Sequence, residues 1–354
     1  MFGSARLGQA MIGAGALAGA AALALLAPHP STPVHSHGGA LPEYYGVNLP
    51  SGTFGKKNEY GKDYIYPDRT TAEPFRAMGM NAIRLPFRWG RLQHEPFGPL
   101  DTDELGRLDS AINDLGGFRL IVLDVHNYGR YKGNKIDDPA TGGTQLADLW
   151  TKLASHYKDN PRVAFGIMNE PHGIDAGTWR KISDEAVAAI RRTGARNLVL
   201  VPGTNWTGGH NWDSGADGSN AAAMSGFHDP GGNFMFEIHQ YLDSDSSGTK
   251  PDCVDASVGR RRLAEVTSWL RAQHAKGFLA EFGTPPTPVC LKALDDLLDF
   301  VDENGDVWAG WTYWAAGARW HNYPFDIQPD GGGPKPQAEV LARHVDRYRR
   351  SAPR

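Results

Sequence analysis

Two glutamates, each closing an apolar run, are the residues of this sequence best placed for chemistry. Glu170 ends Val163-Ala-Phe-Gly-Ile-Met-Asn-Glu-Pro171, and Glu281 ends Gly277-Phe-Leu-Ala-Glu-Phe-Gly283. A carboxylate at the C-terminal tip of a buried strand packs poorly in a core but is well placed for reaction. In a parallel α/β barrel the strand C-termini converge on one rim, where side chains from distant parts of the chain meet. Two carboxylates facing one bond are the minimum equipment for glycoside hydrolysis, one handling a proton and the other the sugar carbon or its water.

Other polar residues fall at the same ends of similar runs. Arg84 sits near the end of Ala82–Leu85, and His126 and Asn127 close Leu120–His126. Asn169 precedes Glu170, His239 and Tyr241 end Phe234–His239, and Trp314 ends Val307–Trp314. Chance would scatter such groups over both ends. His126, His172 and His239 raise the possibility of a metal, but their spacing matches no helix-borne ligand pair such as H-E-x-x-H. No metal and no cofactor are expected.

The elements that must position these groups are eight short apolar runs. With Tyr45–Leu49, Val163–Asn169, Leu198–Pro202 and Phe278–Glu281 added to the four above, they alternate with amphipathic stretches over Thr144–Tyr157, Thr178–Thr193, Arg260–Ala275 and Leu291–Glu303. Strands alternating with helices of that length indicate βαβ units and a parallel sheet. Eight repeats favour closure into an α/β barrel, a (β/α)8 TIM barrel, as a single catalytic domain over 42–350. No glycine fingerprint follows the first run, which disfavours a dinucleotide-binding fold.

Residues 8 to 34 carry no charge, and residues 10 to 27 are small and apolar. Residues 1–27 read as a signal peptide or membrane anchor, and the Pro-rich 28–41 as a linker. Export to a secreted or periplasmic location, with anchoring through 8–27 as the variant, is the expectation. An exported chain with only Cys253 and Cys290 is expected to pair them, two free thiols being the alternative. Acidic residues outnumber basic ones by only 40 to 36, which gives no reason to expect a nucleic-acid partner. Ten Trp and 12 Tyr supply flat surfaces on which the C–H faces of pyranose rings could stack, although many must be core. Trp206 and Trp320 join Trp314 as candidates. Asn205-Trp-Thr207 matches a glycosylation sequon, but its place after the fifth run favours contact with substrate.

Several segments together resemble glycoside hydrolase family 5, in particular its endoglucanase subgroup shared by fungi and bacteria. They are Asn81-Ala-Ile-Arg-Leu-Pro86, Val125-His-Asn-Tyr128 and Phe165-Gly-Ile-Met-Asn-Glu-Pro-His172, with Phe236 to Gly248 and Thr312-Tyr-Trp-Ala-Ala-Gly317. The resemblance implies that Glu170 is the general acid/base and Glu281 the nucleophile, an order of roles that the residues alone leave open. It further implies that Arg84 and Tyr241 hold the nucleophile and that Asn169 binds the 2-hydroxyl. His126 and His239 would line the same subsite, Trp314 would form a stacking platform, and the Trp314–Ala315 peptide would be cis. The chain departs from the subgroup at Thr204, Ala318 and Arg319, positions that bear on flanking sugar subsites. The implied activity is that of a monomeric retaining endo-β-1,4-glucanase, a cellulase acting on β-glucan polysaccharide. A related β-mannanase or xyloglucanase, or a non-catalytic carbohydrate-binding barrel, are the competing expectations.

Overall fold

A computed structural model describes residues 41–138, 142–320 and 322–351 of the chain. The expected leader and all but the last residue of the expected linker lie outside the described residues. No helix among the described residues is long and apolar enough to cross a membrane.

Eight parallel strands close into a barrel in which every strand pairs with its sequence neighbours. They are β1 (Tyr44–Asn48), β2 (Ala82–Phe87), β3 (Leu120–Val125), β4 (Val163–Gly166), β5 (Val199–Pro202), β6 (Phe234–His239), β7 (Gly277–Glu281) and β8 (Trp308–Tyr313). Closure comes from β8 pairing with β1, Gly46 opposite Thr312. The longer helices on the outside are α1 (Arg69–Met78), α2 (Thr102–Asp114), α3 (Gly142–Tyr157), α4 (Ala176–Arg192), α5 (Val258–Ala272), α6 (Pro288–Glu303) and α7 (Pro336–Ser351). All eight expected strands are present, with ends shifted by a few residues. The apolar run through Met168 outlasts β4 because Ile167 and Met168 stay buried after the ladder ends.

Local chemistry explains where the helices start. Asp68, Asp101 and Asp175 each accept a backbone N–H from the first turn of α1, α2 and α4, at 2.8, 2.8 and 3.0 Å. Such caps satisfy donors that a helix start otherwise leaves bare. Helix α1 ends at Gly79, whose φ of 99° is open to glycine at little cost.

The core has two parts. Around the barrel, Trp89, Trp150, Trp179, Trp212, Trp308 and Trp311 are fully buried in the larger apolar cluster. Inside the barrel, Ala82, Leu120, Val122, Ala164, Leu198, Leu200, Phe278 and Ala280 form a separate apolar plug. Because strand side chains alternate, the next inward positions above this plug are Arg84 on β2, Asp124 on β3 and Glu237 on β6. All three are fully buried. The apolar floor thus carries a layer of charge, and the catalytic candidates stand on it.

Cys253 and Cys290 are bonded, with Cα atoms 5.3 Å apart. Cys253 lies in the loop after β6, and Cys290 lies in the first turn of α6. On the chain-entropy account a cross-link of this span stabilises by about 4 kcal/mol. It tethers the end of the loop that walls the site.

Candidate active site

Arg84 is the centre of the charged layer. Its Nη1 donates to Glu281 Oε1 at 2.7 Å and to Asn48 Oδ1 at 3.0 Å, and its Nη2 donates to Asn169 Oδ1 at 2.7 Å and Glu237 Oε1 at 2.9 Å. Asp124 stands 3.1 Å from the same Nη2. Burial alone would lower the guanidinium's pKa, yet Asp124, Glu237 and Glu281 together raise it above its ordinary value. A buried charge so paired is costly to disturb from either side. The sequence places Arg84 near a strand end, whereas it lies in the middle of β2 and reaches Glu281 through the length of its side chain.

Glu281 ends β7 at the barrel rim and is nearly buried. Its second oxygen accepts a hydrogen bond from the Tyr241 hydroxyl at 2.9 Å. Burial, then the charge of Glu281, pushes the Tyr241 phenol well above its usual range, so the group remains a donor. Both oxygens of Glu281 therefore face donors that stabilise negative charge.

Glu170 follows β4 on the opposite side of the cleft and is the more open of the two, its side chain 16% exposed against 4% for Glu281. One carboxylate oxygen of each lies within 4.8 Å of the other. His239 joins them. Its Nδ1 is 2.9 Å from Glu170 Oε1 and 3.6 Å from Glu281 Oε2, and its Nε2 is 3.1 Å from Glu237 Oε1. Burial pushes the imidazolium pKa down, but Glu281, Glu170 and Glu237 outweigh it and hold the ring at about 10. At neutral pH the ring therefore carries both protons and donates from each nitrogen.

Asn169 presents its oxygen to Arg84 while its buried Nδ2 has no partner among the described residues. That leaves one aimed donor beside the two carboxylates. His126 is fixed by Asp124 at 2.8 Å and lies parallel to Trp314, ring centroids 5.5 Å apart and planes 7° apart. The Trp314–Ala315 peptide is cis.

The two glutamates open into a cavity of about 480 Å³. His126, Tyr128 and Trp314 line it on one side, and Gly248 to Pro251 with Tyr323 and Phe325 on others. Asp243 shapes the Gly248 wall, its carboxylate accepting backbone N–H groups of Gly248, Thr249 and Lys250 at 3.0–3.1 Å. Gly248 has φ of 69°, and a Cβ there would come within 2.7 Å of the Tyr241 ring. Only glycine fits.

Three of the expected contacts are placed differently. Asn127 is outside the cavity lining, because its Oδ1 accepts the Trp89 N–H at 2.8 Å and holds the turn after β2. Trp320 lies behind the platform, edge-on to Trp314 and stacked on Tyr323 at 4.4 Å. Trp206 is 48% exposed beyond the cavity and stacks one face on His172. Asn205 of the sequon is buried, its amide bonded to Gly218 and Asp217, so it is unavailable as a sugar acceptor without the loop unfolding. The departure at Arg319 has a structural use, since its guanidinium donates to the carbonyls of Gly61 and Lys62 and ties down a turn after β1.

Asp124 and Glu237 escape a reading that looks only at strand ends. The signal was present: each lies two residues before a site histidine, His126 and His239, on the same face of its strand. As for metals, Glu170, His239 and Glu281 are close enough to share a cation, as are Asp299, Asp302 and His344 near α7. Both sets already hold cationic partners. Arg84 bonds Glu281 at 2.7 Å in the first, and Arg347 bonds Asp299 at 3.0 Å and Asp302 at 2.6 Å in the second.

Comparison with known proteins agrees with this geometry. The family model described as cellulase (glycosyl hydrolase family 5) matches residues 43–317. Endo-beta-1,4-glucanase B of Aspergillus niger is 35% identical over 322 residues, spanning 89% of this chain and 93% of that protein. A structure of XacCel5A in complex with cellopentaose shares 47% identity at a TM-score of 0.83, covering 86% of this chain and 99% of that one. Endo-beta-1,4-glucanase Xac0029 from Xanthomonas axonopodis pv. citri superposes equally well, TM-score 0.83 at 43% identity, with the same coverage. With a closed eight-strand barrel and a match across most of its length, this chain belongs to glycosyl hydrolase family 5, the cellulase family.

Proposed function

We propose that this protein is a retaining endo-β-1,4-glucanase that cuts internal bonds of cellulose or a related β-glucan. The observation that carries the reading is the approach of a Glu170 oxygen to within 4.8 Å of a Glu281 oxygen across one cleft. Retaining glycosidases hold their carboxyl groups about 5–5.5 Å apart, whereas inverting ones leave about 6.5–9.5 Å for a water.

In the first step Glu281 attacks the anomeric carbon from the face opposite the leaving group. Glu170 gives its proton to the glycosidic oxygen as that bond breaks, and a covalent glycosyl ester forms on Glu281. In the second step Glu170, now a carboxylate, takes a proton from water as the water's oxygen attacks the same carbon and Glu281 departs. Arg84 and Tyr241 hold the Glu281 carboxylate before attack and receive its charge again on departure. The free Nδ2 of Asn169 is the donor we assign to the 2-hydroxyl, and Trp314 the platform for the ring. Trp206 lies on the Glu170 side and offers its open face to the departing chain.

The relatives named as endo-β-1,4-glucanases and the cellopentaose complex support glucan as the substrate over mannan or xyloglucan. The disulfide supports an oxidising destination. We infer export, to the periplasm or beyond, with residues 1–27 as a signal peptide or, in the variant, residues 8–27 as an anchor. The test is reducing-sugar release from a panel of carboxymethyl cellulose, mixed-linkage β-glucan, mannan and xyloglucan, with product sizing. Rapid release of short cello-oligosaccharides from the first two is expected. Faster turnover of mannan or xyloglucan would overturn the substrate assignment, and no release from any would overturn the enzyme.

A further inference from the structure

Glu170 adopts φ of 42°, a left-handed conformation that residues other than glycine rarely take and that persists only where the surroundings impose it. Its neighbours supply that constraint. His172 Nδ1 lies 3.0 Å from the Glu170 carbonyl oxygen, and the Trp206 N–H donates to the Pro171 carbonyl at 3.0 Å. Arg130 Nη1 stands 3.0 Å from His172 Nε2, 2.8 Å from the Tyr128 carbonyl and 3.4 Å from the His172 carbonyl. A carbonyl only accepts and a guanidinium only donates, so Nδ1 carries the ring proton and Nε2 is bare. The Trp206 indole stacks on the same ring, centroids 4.5 Å apart and planes 12° apart. The imidazole is thus fixed in tautomer by Arg130 and in plane by Trp206, with its one N–H aimed at the backbone of Glu170.

We propose that His172 is a positioning residue that holds the Glu170 backbone in its left-handed turn and so aims the carboxyl group at the leaving oxygen. The proposal rests on the reading of Glu170 as the acid/base. His172 itself is absent from the cavity lining, so its hold on the acid runs through the Glu170 backbone. A misplaced acid hurts substrates whose departing oxygen needs a proton and spares those whose leaving group departs unaided. A merely structural role would lower both alike.

The experiment compares kcat/KM, which reports the bond-breaking step, for 2,4-dinitrophenyl and 4-methoxyphenyl β-cellobiosides. The full-length enzyme, His172→Ala, His172→Asn and Glu170→Ala are measured side by side, each checked for folding by circular dichroism. His172→Ala is expected to lose about 10-fold or more on the methoxyphenyl substrate and less than about 3-fold on the dinitrophenyl one. His172→Asn, whose amide N–H can stand where Nδ1 stands, should recover most of the loss. If His172→Ala does not fold, Arg130→Met carries the same test, with a smaller loss of the same selectivity. Equal loss on both substrates, or no loss on the methoxyphenyl substrate, would overturn the proposal, provided Glu170→Ala discriminates between them. If Glu170→Ala does not discriminate, the acid/base assignment itself is wrong.

Discussion

Replacing Glu281 with alanine should remove nearly all hydrolysis, a loss of roughly 10⁴-fold or more in kcat/KM, the scale seen when an enzyme loses its nucleophile. The fold should survive, because Arg84 keeps two of its carboxylate partners, Asp124 at 3.1 Å and Glu237 at 2.9 Å. The truncation opens a small void where the carboxylate stood, lined by the Arg84 and Tyr241 donors that held it. Azide can enter there and attack the anomeric carbon of a substrate with an activated leaving group. It approaches from the face Glu281 used, so a single displacement converts a β-glycoside into an α-glycosyl azide. Hydrolysis within about 10-fold of the parent enzyme, or a β-azide product, would show that Glu281 is not the nucleophile.

Replacing Glu170 with alanine should act differently, and the difference separates the two roles. General acid catalysis contributes roughly 10²–10⁴-fold, so hydrolysis of β-glucan should fall by that factor. Substrates with activated leaving groups should still form the glycosyl ester, since Glu281 and its donors are untouched. That ester should then accumulate, because no carboxylate remains to draw a proton from water. Azide needs no such help, and its attack on the α-linked ester yields a β-glycosyl azide. A uniform loss across leaving groups would contradict the assignment.

The barrel was legible because its strands are short apolar runs with helical patterns between them, and each run appears as a strand within a few residues of its expected ends. The site was legible where polar residues interrupt those runs at their C-terminal ends: Glu170, His239, Glu281 and Trp314 all meet at one rim. It was less legible where a polar residue sits inside the run. Asp124 and Glu237 form the charged layer beneath the cleft. A search confined to strand ends passes over them, although the two-residue period relates each to a histidine. Asn127 lies outside the cavity lining, and its partner, the Trp89 N–H, comes from another strand's loop. Arg319 is a longer-range case: the carbonyls it binds, at Gly61 and Lys62, lie more than 250 residues away in the chain. No local pattern announces such a contact. The pairing of Cys253 with Cys290 needed only the count of cysteines, while the seat of Cys290 in a helix depended on where α6 begins.

Retention of configuration is the consequence that follows most directly from two carboxylates this close together. Proton NMR of cellopentaose hydrolysis, read in the first minutes before mutarotation, reports it without any mutation. Two displacements at one carbon predict that the new reducing end appears first as the β-anomer and only later equilibrates. First appearance of the α-anomer would mean a single displacement by water, and would contradict the assignment of Glu281 as the group that bonds the sugar.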